Sequence, residues 1–163
     1  MRQTPVPAQS LALYNTLKQH PEILRMQAFM AHRNTSVYHH SVSVVNLSLW
    51  LAMKLHIKRS KLRSLILAAM LHDFYLYDYH GHRIRSDGWH AWQHPALALY
   101  NAEKLFDLDQ PARNAIRAHM FPGTLFHMPL YLIGWIVSIS DKTCAILELL
   151  NSNRMLHIEF IPV

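Results

Sequence analysis

Helical periodicity runs through almost all of this 163-residue chain and constrains its fold more than any other feature. Apolar residues recur at spacings of three and four, and only 4 glycines are present. No Asn-Gly or Asp-Gly pair joins two alternating strand patterns, so hairpins are not indicated. The pattern predicts an all-α fold. Because 51% of the residues are hydrophobic, the chain can bury a sizeable core, and we expect a single domain over residues 1–163.

Capping and breaking residues divide this periodic pattern into separate helices. The predicted helices cover residues 11–19, a short stretch from 21, 36–56, 61–77, 95–106, 109–119 and 129–150. The residues expected to open them are Ser10, Pro21, Thr35 or Ser36, Ser60, Pro95 and Asp109. Glycines and mixed polar residues over 78–93 predict a long loop between the fourth and fifth of these helices.

Several polar side chains lie on the apolar stripes of these predicted helices. In the run AAMLHDFYLY, residues 68–77, the adjacent His72 and Asp73 share a stripe with leucine, isoleucine and alanine. In the helix over 36–56, His40 is in phase with the inward stripe, whereas His39 lies about 100° away from it. The polar residues that we expect to point inward are His40, His72, Asp73, His94, His119 and Asp141.

Buried carboxylates need compensation, and this requirement indicates a metal site. A lone histidine on an apolar stripe is more often a hydrogen-bonded core residue than a ligand. An unpaired buried carboxylate, however, costs at least several kcal/mol. No lysine or arginine shares the stripe of Asp73 or that of Asp141. A divalent ion held by imidazole nitrogens and carboxylate oxygens would compensate both aspartates and would use the histidines as neutral ligands.

The order of these segments resembles the HD-domain superfamily of metal-dependent phosphohydrolases. The resemblance covers about residues 36–150 and implies an HD-domain/phosphodiesterase-like helical bundle. The segments that carry it are HHSVSVV with His40, AAMLHDF with His72 and Asp73, WQHPALA with His94, AIRAHMF with His119, and VSISDKTCA with Asp141.

The resemblance also implies a ligand set and a cofactor. The first histidine, the His-Asp pair and the last aspartate of the family match His40, His72, Asp73 and Asp141 and would form a minimal metal site. Family members with two further histidines generally hold two ions, and His94 and His119 stand at those places. Asp73 would then bridge two divalent ions, which we expect to be iron, manganese, cobalt, nickel or zinc.

The activity implied by the resemblance is hydrolysis of a nucleotide or other phosphate ester by a metal-activated water. In this hypothesis Asp73 and Lys142 have catalytic roles, and Arg83, Arg85 and Lys142 bind the substrate phosphate. The chain also departs from the family. Many members continue the His-Asp pair with a small apolar residue, glycine and lysine, whereas Phe74 follows here with Tyr75 and Leu76. No Gly-Tyr-Pro motif follows, and Met120 replaces a frequent histidine, so a cyclic dinucleotide substrate is not assigned.

Two other functions use the same ligand set. One is an HD-type diiron oxygenase, and the other is a non-catalytic metal-binding or ligand-sensing module. Ligand residues alone do not separate hydrolysis from oxygenation, so oxygen consumption, phosphate release and binding without turnover are the observations that distinguish the three.

Charge and cysteine content bound the partners and the compartment. The 16 Lys and Arg residues exceed the 10 Asp and Glu residues, which suits an anionic small molecule or simple solubility. We interpret the basic cluster around Lys58 and Arg59 as a solvated face, with nucleic-acid contact less favoured.

Cys144 is the single cysteine, so we expect a cytoplasmic protein. The apolar run PLYLIGWIVSIS is too short to span a membrane.

Overall fold

The computed structural model describes residues 5–32, 34–76 and 90–150. Seven α-helices account for most of these ranges, and the prediction of an all-α fold is confirmed. The helices are α1 (Ala8–Lys18), α2 (Pro21–Leu24), α3 (Val37–Lys54), α4 (Leu62–Leu71), α5 (His90–Glu103), α6 (Gln110–Ala118) and α7 (Leu132–Leu150). A feature that we did not predict is a small antiparallel ribbon of β1 (Met30–His32) and β2 (Thr35–Ser36), which precedes α3.

Several predicted helix starts are confirmed by the capping geometry. The α2 helix begins at Pro21, and Ser36 caps α3 by accepting a hydrogen bond from the backbone N–H of His39 at 3.3 Å. Asp109 caps α6, since its Oδ1 accepts from the N–H of Ala112 at 3.0 Å. Ser36 and Asp109 each accept from a backbone N–H of the first helical turn, which has no partner inside the helix.

Other predicted starts are wrong. The α1 helix begins at Ala8 after Pro7, before the expected cap Ser10. Ser60 lies inside a short 3-10 turn, Arg59–Lys61, so it does not cap α4. The α5 helix begins at His90, and Pro95 lies inside it instead of opening it. A proline near a helix start costs one hydrogen bond of the helical ladder, which the rest of the helix can tolerate.

The α4 helix ends at Leu71, so its predicted extension to residue 77 is wrong. The backbone N–H of Phe74 turns back to the carbonyl of Leu71 at 3.1 Å, and that of Tyr75 reaches the carbonyl of Asp73 at 2.8 Å. Leu76 then has a positive φ of 52°, which a helix does not allow. The His-Asp pair is therefore at the end of the helix and in the following turn, not in the helix interior.

The α4 helix is the centre of the fold. Every residue of Ser64–Leu71 is buried, and α4 packs against α1, α3, α5, α6 and α7. A helix that is apolar on all faces needs neighbours on all faces, which explains its central position. None of the described helices combines the length and apolar content required to cross a bilayer. The fold thus brings the C-terminal end of the buried α4 among helices that arrive from both halves of the chain.

Asp109→Ala should lower the free energy of unfolding by about 2 kcal/mol. The substitution removes the α6 cap, and it also leaves the buried Ser64 hydroxyl, which donates to Asp109 Oδ2, without its acceptor. Ser64→Ala removes only the second interaction and should cost about half as much. Urea denaturation followed by circular dichroism measures both values, and an Asp109→Ala variant as stable as the wild type would contradict this account of the helix start.

Candidate metal centre

Two histidines of the centre stand at the C-terminal ends of helices. His72 follows the last residue of α4, and its Nδ1–H donates to the backbone carbonyl of Ala69 at 2.9 Å. His119 follows the last residue of α6, and its Nδ1–H donates to the carbonyl of Ile116 at 2.8 Å. Carbonyls in the last turn of a helix have no partner within the helix, so they readily accept these bonds. Both rings are buried, and both present Nε2 to the space between the helices.

A third histidine is held between two carboxylates. His40 lies on α3 with its side chain fully buried, and its Nε2 is 3.1 Å from Asp141 Oδ1. Its Nδ1 is 3.0 Å from Glu148 Oε2. The α7 helix supplies both acids, because residues seven positions apart lie on the same helix face two turns from each other. The prediction that His40, not His39, is the buried member of the pair is confirmed.

Asp73 lies between the histidines of different helices. Its Oδ2 is 3.6 Å from His72 Nε2, while its Oδ1 is 3.2 Å from His94 Nε2 and 3.5 Å from His119 Nε2. The two imidazole nitrogens on that side are 2.8 Å from each other. We expected His94 to open a helix, but it lies inside α5 because that helix begins at His90.

The converging atoms form two groups that share one residue. His40, His72 and Asp73 make the first group, and Asp73, His94 and His119 make the second. Within each group the ligand atoms lie within 4.8 Å of one another. Asp141 adjoins the first group, with Oδ1 3.6 Å from His72 Nε2. The structure therefore brings together all six residues that the sequence predicted to point inward.

The residues of this cluster fit a divalent metal ion. His72 Nε2 and Asp73 Oδ1 are buried, and neither makes a hydrogen bond of acceptable geometry within the described part of the chain. Such atoms are costly unless a ligand satisfies them. Imidazole nitrogens together with carboxylate oxygens suit zinc, iron, manganese and related ions. The donor set and the two buried atoms without a hydrogen bond therefore both fit a cation.

Electrostatics keep the carboxylates ionised despite their burial. Burial alone would raise the pKa of Asp73, but His72, His94 and His119 around it lower that pKa well below its ordinary value. Burial alone would also raise the pKa of Asp141, but the hydrogen bond with His40 and the nearby His72 ring lower it well below its ordinary value. Both acids are therefore charged at neutral pH, which is the form that binds metal.

The histidines on the two sides of Asp73 have opposite pKa shifts. Burial disfavours the charged form of His40, yet its contacts with Asp141 and Glu148 raise its pKa to about 10. Burial lowers the pKa of His119 to about 3, helped by repulsion from His94 and His72. In the metal-free protein at neutral pH, the His40 ring is therefore protonated and positively charged, whereas the His119 ring is neutral.

Two residues near the cluster, Glu148 and Asn101, were not predicted from the sequence. A third residue, Lys142, was predicted but makes contacts beyond its predicted role. Glu148 was not predicted, although its spacing from Asp141 along α7 was a signal that could have found it. Asn101 was also missed, and its Nδ2 donates to the carbonyl of Phe74 at 3.0 Å, which anchors the turn after the His-Asp pair. Lys142 donates from Nζ to the carbonyl of His119 at 2.7 Å and to Ser138 Oγ at 3.0 Å.

The predicted substrate-binding residues have different outcomes. Lys142 Nζ lies 3.7 Å from Asp141 Oδ2, at the edge of the cluster, and burial lowers the pKa of this lysine. Its contact with a substrate phosphate stays a prediction. Arg83 and Arg85 lie outside the described residues.

The chain matches a known protein family. The family model described as HD domain matches residues 37–146, which is more than half of the chain. The matched segment includes both groups of converging residues and Asp141. A comparison with curated proteins finds no match.

Lys142→Met should lower the free energy of unfolding of the metal-free protein by about 1 kcal/mol, because the carbonyl of His119 loses a charged donor. Lys61 is exposed, so Lys61→Met is a matched control that should change stability by less than about 0.5 kcal/mol. Urea denaturation measures both. Unchanged stability in Lys142→Met would mean that the lysine does not hold the end of α6, and it would leave substrate contact as the better account of this residue.

Proposed function

Because the chain belongs to the HD domain family, we propose that it is a metal-dependent phosphohydrolase that acts on a nucleotide or other phosphate ester. The observation that carries this proposal is the convergence of four histidines and two aspartates from five helices and the turn after α4. HD domains bind divalent metals, and hydrolysis of phosphate esters is the general activity of that superfamily. A small phosphate ester is the proposed partner, and nucleic acid is not favoured.

We also propose that the centre holds two ions, which would be iron, manganese, cobalt, nickel or zinc. The arrangement of Asp73 supports this number, since its carboxylate is the only member common to both groups. One oxygen faces His72, whereas the other faces His94 and His119. A carboxylate with its two oxygens directed to different sides can bridge two ions.

Divalent ions at this centre would supply an activated water and would polarise the phosphoryl group. The chain itself contributes the electrostatic environment. Asp73 and Asp141 keep their negative charge in a buried setting, so the centre attracts cations. The Nδ1 bonds of His72 and His119 hold those rings with Nε2 directed inward. We assign contact with the substrate phosphate to Lys142, Arg83 and Arg85, because no basic residue directly follows the His-Asp pair.

The number of ions can be tested with ligand variants. Wild-type protein purified without added metal and then saturated with Mn²⁺ should hold about two ions per chain by elemental analysis, as simple ligand counting indicates. The double variant His94→Ala, His119→Ala should hold about one, whereas Asp73→Ala should lose both ions. Asp141→Ala should lose chiefly the ion shared with His40 and His72. A single tightly bound ion in the saturated wild-type protein would overturn the two-ion centre.

The activity can be tested with a screen of nucleotides and phosphate esters in the presence of the bound metal. We expect release of inorganic phosphate or of a nucleotide product, and we expect Asp73→Ala to lower that rate by at least about a thousandfold because it removes metal binding. The exposed-site variant Lys61→Met should retain the wild-type rate. Oxygen consumption coupled to substrate loss would identify an HD-type diiron oxygenase instead. Tight binding without any product would identify a ligand-sensing module.

A further inference from the structure

Among the residues that the structure describes, more carboxylates lie on one side of Asp73 than on the other. We call His40, His72, Asp73 and Asp141 the His40 half, and Asp73, His94 and His119 the His94 half. The His40 half contains Asp141 in addition to the shared Asp73, and Glu148 stands directly behind His40. On the other side, the ring nitrogens of His94 and His119 are 2.8 Å from each other, and Asp73 is the carboxylate that faces them.

Glu148 is placed to act through His40. Its side chain is only 6% exposed, and both of its carboxylate oxygens lie within hydrogen-bonding distance of His40 Nδ1, at 3.2 and 3.0 Å. An ionised carboxylate can only accept, so Nδ1 carries the proton in this contact and Nε2 is the nitrogen directed to the centre. His72 and His119 use neutral backbone carbonyls for the same purpose. His40 therefore differs from them in having a charged outer partner.

A carboxylate behind a metal-binding histidine changes the ligand in two ways. It fixes the tautomer and the orientation of the ring, and it makes the nitrogen that faces the metal a stronger donor. Its negative charge also attracts a cation on the far side of the ring, in an interior where charges are screened less than in water. A backbone carbonyl supplies the orientation without the charge.

We propose that Glu148 is a positioning residue that makes the two halves of the centre unequal, so that the His40 half binds its ion first and more tightly. This inference rests on the two-ion centre of the proposed function. Once the first ion is present, its charge offsets that of Asp73, which the second ion must share. The second ion then enters the His94 half with no additional carboxylate among its described ligands. Binding is consequently stepwise.

The test is a titration of the chelator-treated full chain with Mn²⁺, in which electron paramagnetic resonance measures the free ion. The wild-type protein should show two binding steps, with the first Kd at least about tenfold below the second. Glu148→Gln keeps the shape of the side chain but removes its charge, and it should raise the first Kd by about 10- to 100-fold. The second Kd should change by less than about threefold, because Glu148 does not contact the His94 half.

Two controls separate this role from a general effect on folding. Glu103 forms a surface ion pair with Arg113, so Glu103→Gln should bind both ions as the wild type does. In a His40→Ala background, Glu148→Gln should cause a much smaller loss of affinity than in the wild type, because the effect through the ring is gone and only the direct attraction between Glu148 and the ion is removed. Circular dichroism of each metal-free variant verifies that the helical fold is retained, and Glu148→Asp, which keeps the charge, should restore part of the affinity of the first step.

The outcomes distinguish this inference from the proposed function. Two unchanged binding steps in Glu148→Gln would overturn the inference and leave the phosphohydrolase intact. Loss of the first step in Glu148→Gln, in a protein that releases no product from any phosphate ester, would support the inference and overturn the hydrolase. Equal weakening of both steps would overturn the inequality, since it would show that Glu148 acts on the centre as a whole.

Discussion

The burial of two ionised carboxylates is the constraint on which the rest of the structure depends. Asp73 and Asp141 are almost removed from solvent, and an isolated charge in that setting would unfold a domain of ordinary stability. Histidines from four helices or helix ends surround the two acids and lower the pKa of both. The surrounding helices therefore serve two purposes, because the same packing that builds the core also brings the compensating side chains together.

Helix ends orient two of the histidines in the cluster. His72 and His119 each follow the last residue of a helix and use a carbonyl of that last turn as a hydrogen-bond acceptor. The carbonyl of His119 in turn accepts from Lys142 and from the hydroxyl of Ser138 on α7. The end of α6 is thus bonded to the helix that carries Asp141, so the position of His119 depends on the position of α7.

The described carboxylates of the cluster are distributed unequally on the two sides of Asp73. The shared Asp73 faces both ways, but Asp141 and Glu148 lie on the same side as His40. The pKa of His40 is raised to about 10, whereas that of His119 is lowered to about 3. The two pKa values have different causes, because Asp141 and Glu148 raise that of His40 against burial, whereas burial is the largest cause of the lowered value of His119.

The sequence by itself determined the all-α class, the caps at Ser36 and Asp109, and the inward direction of His40 and Asp141, because each follows from the helical period or from unpaired backbone groups within one turn. The tertiary structure alone decided where α4 ends, that Asp73 stands between two groups of histidines, and that Glu148 meets His40 across 108 positions of the chain. Those features depend on how separate helices pack, and local periodicity contains no information about the distance between two helices. A carboxylate on α7 could be recognised as inward-facing from its phase, but the ring that it contacts was set only by the packing of α7 against α3.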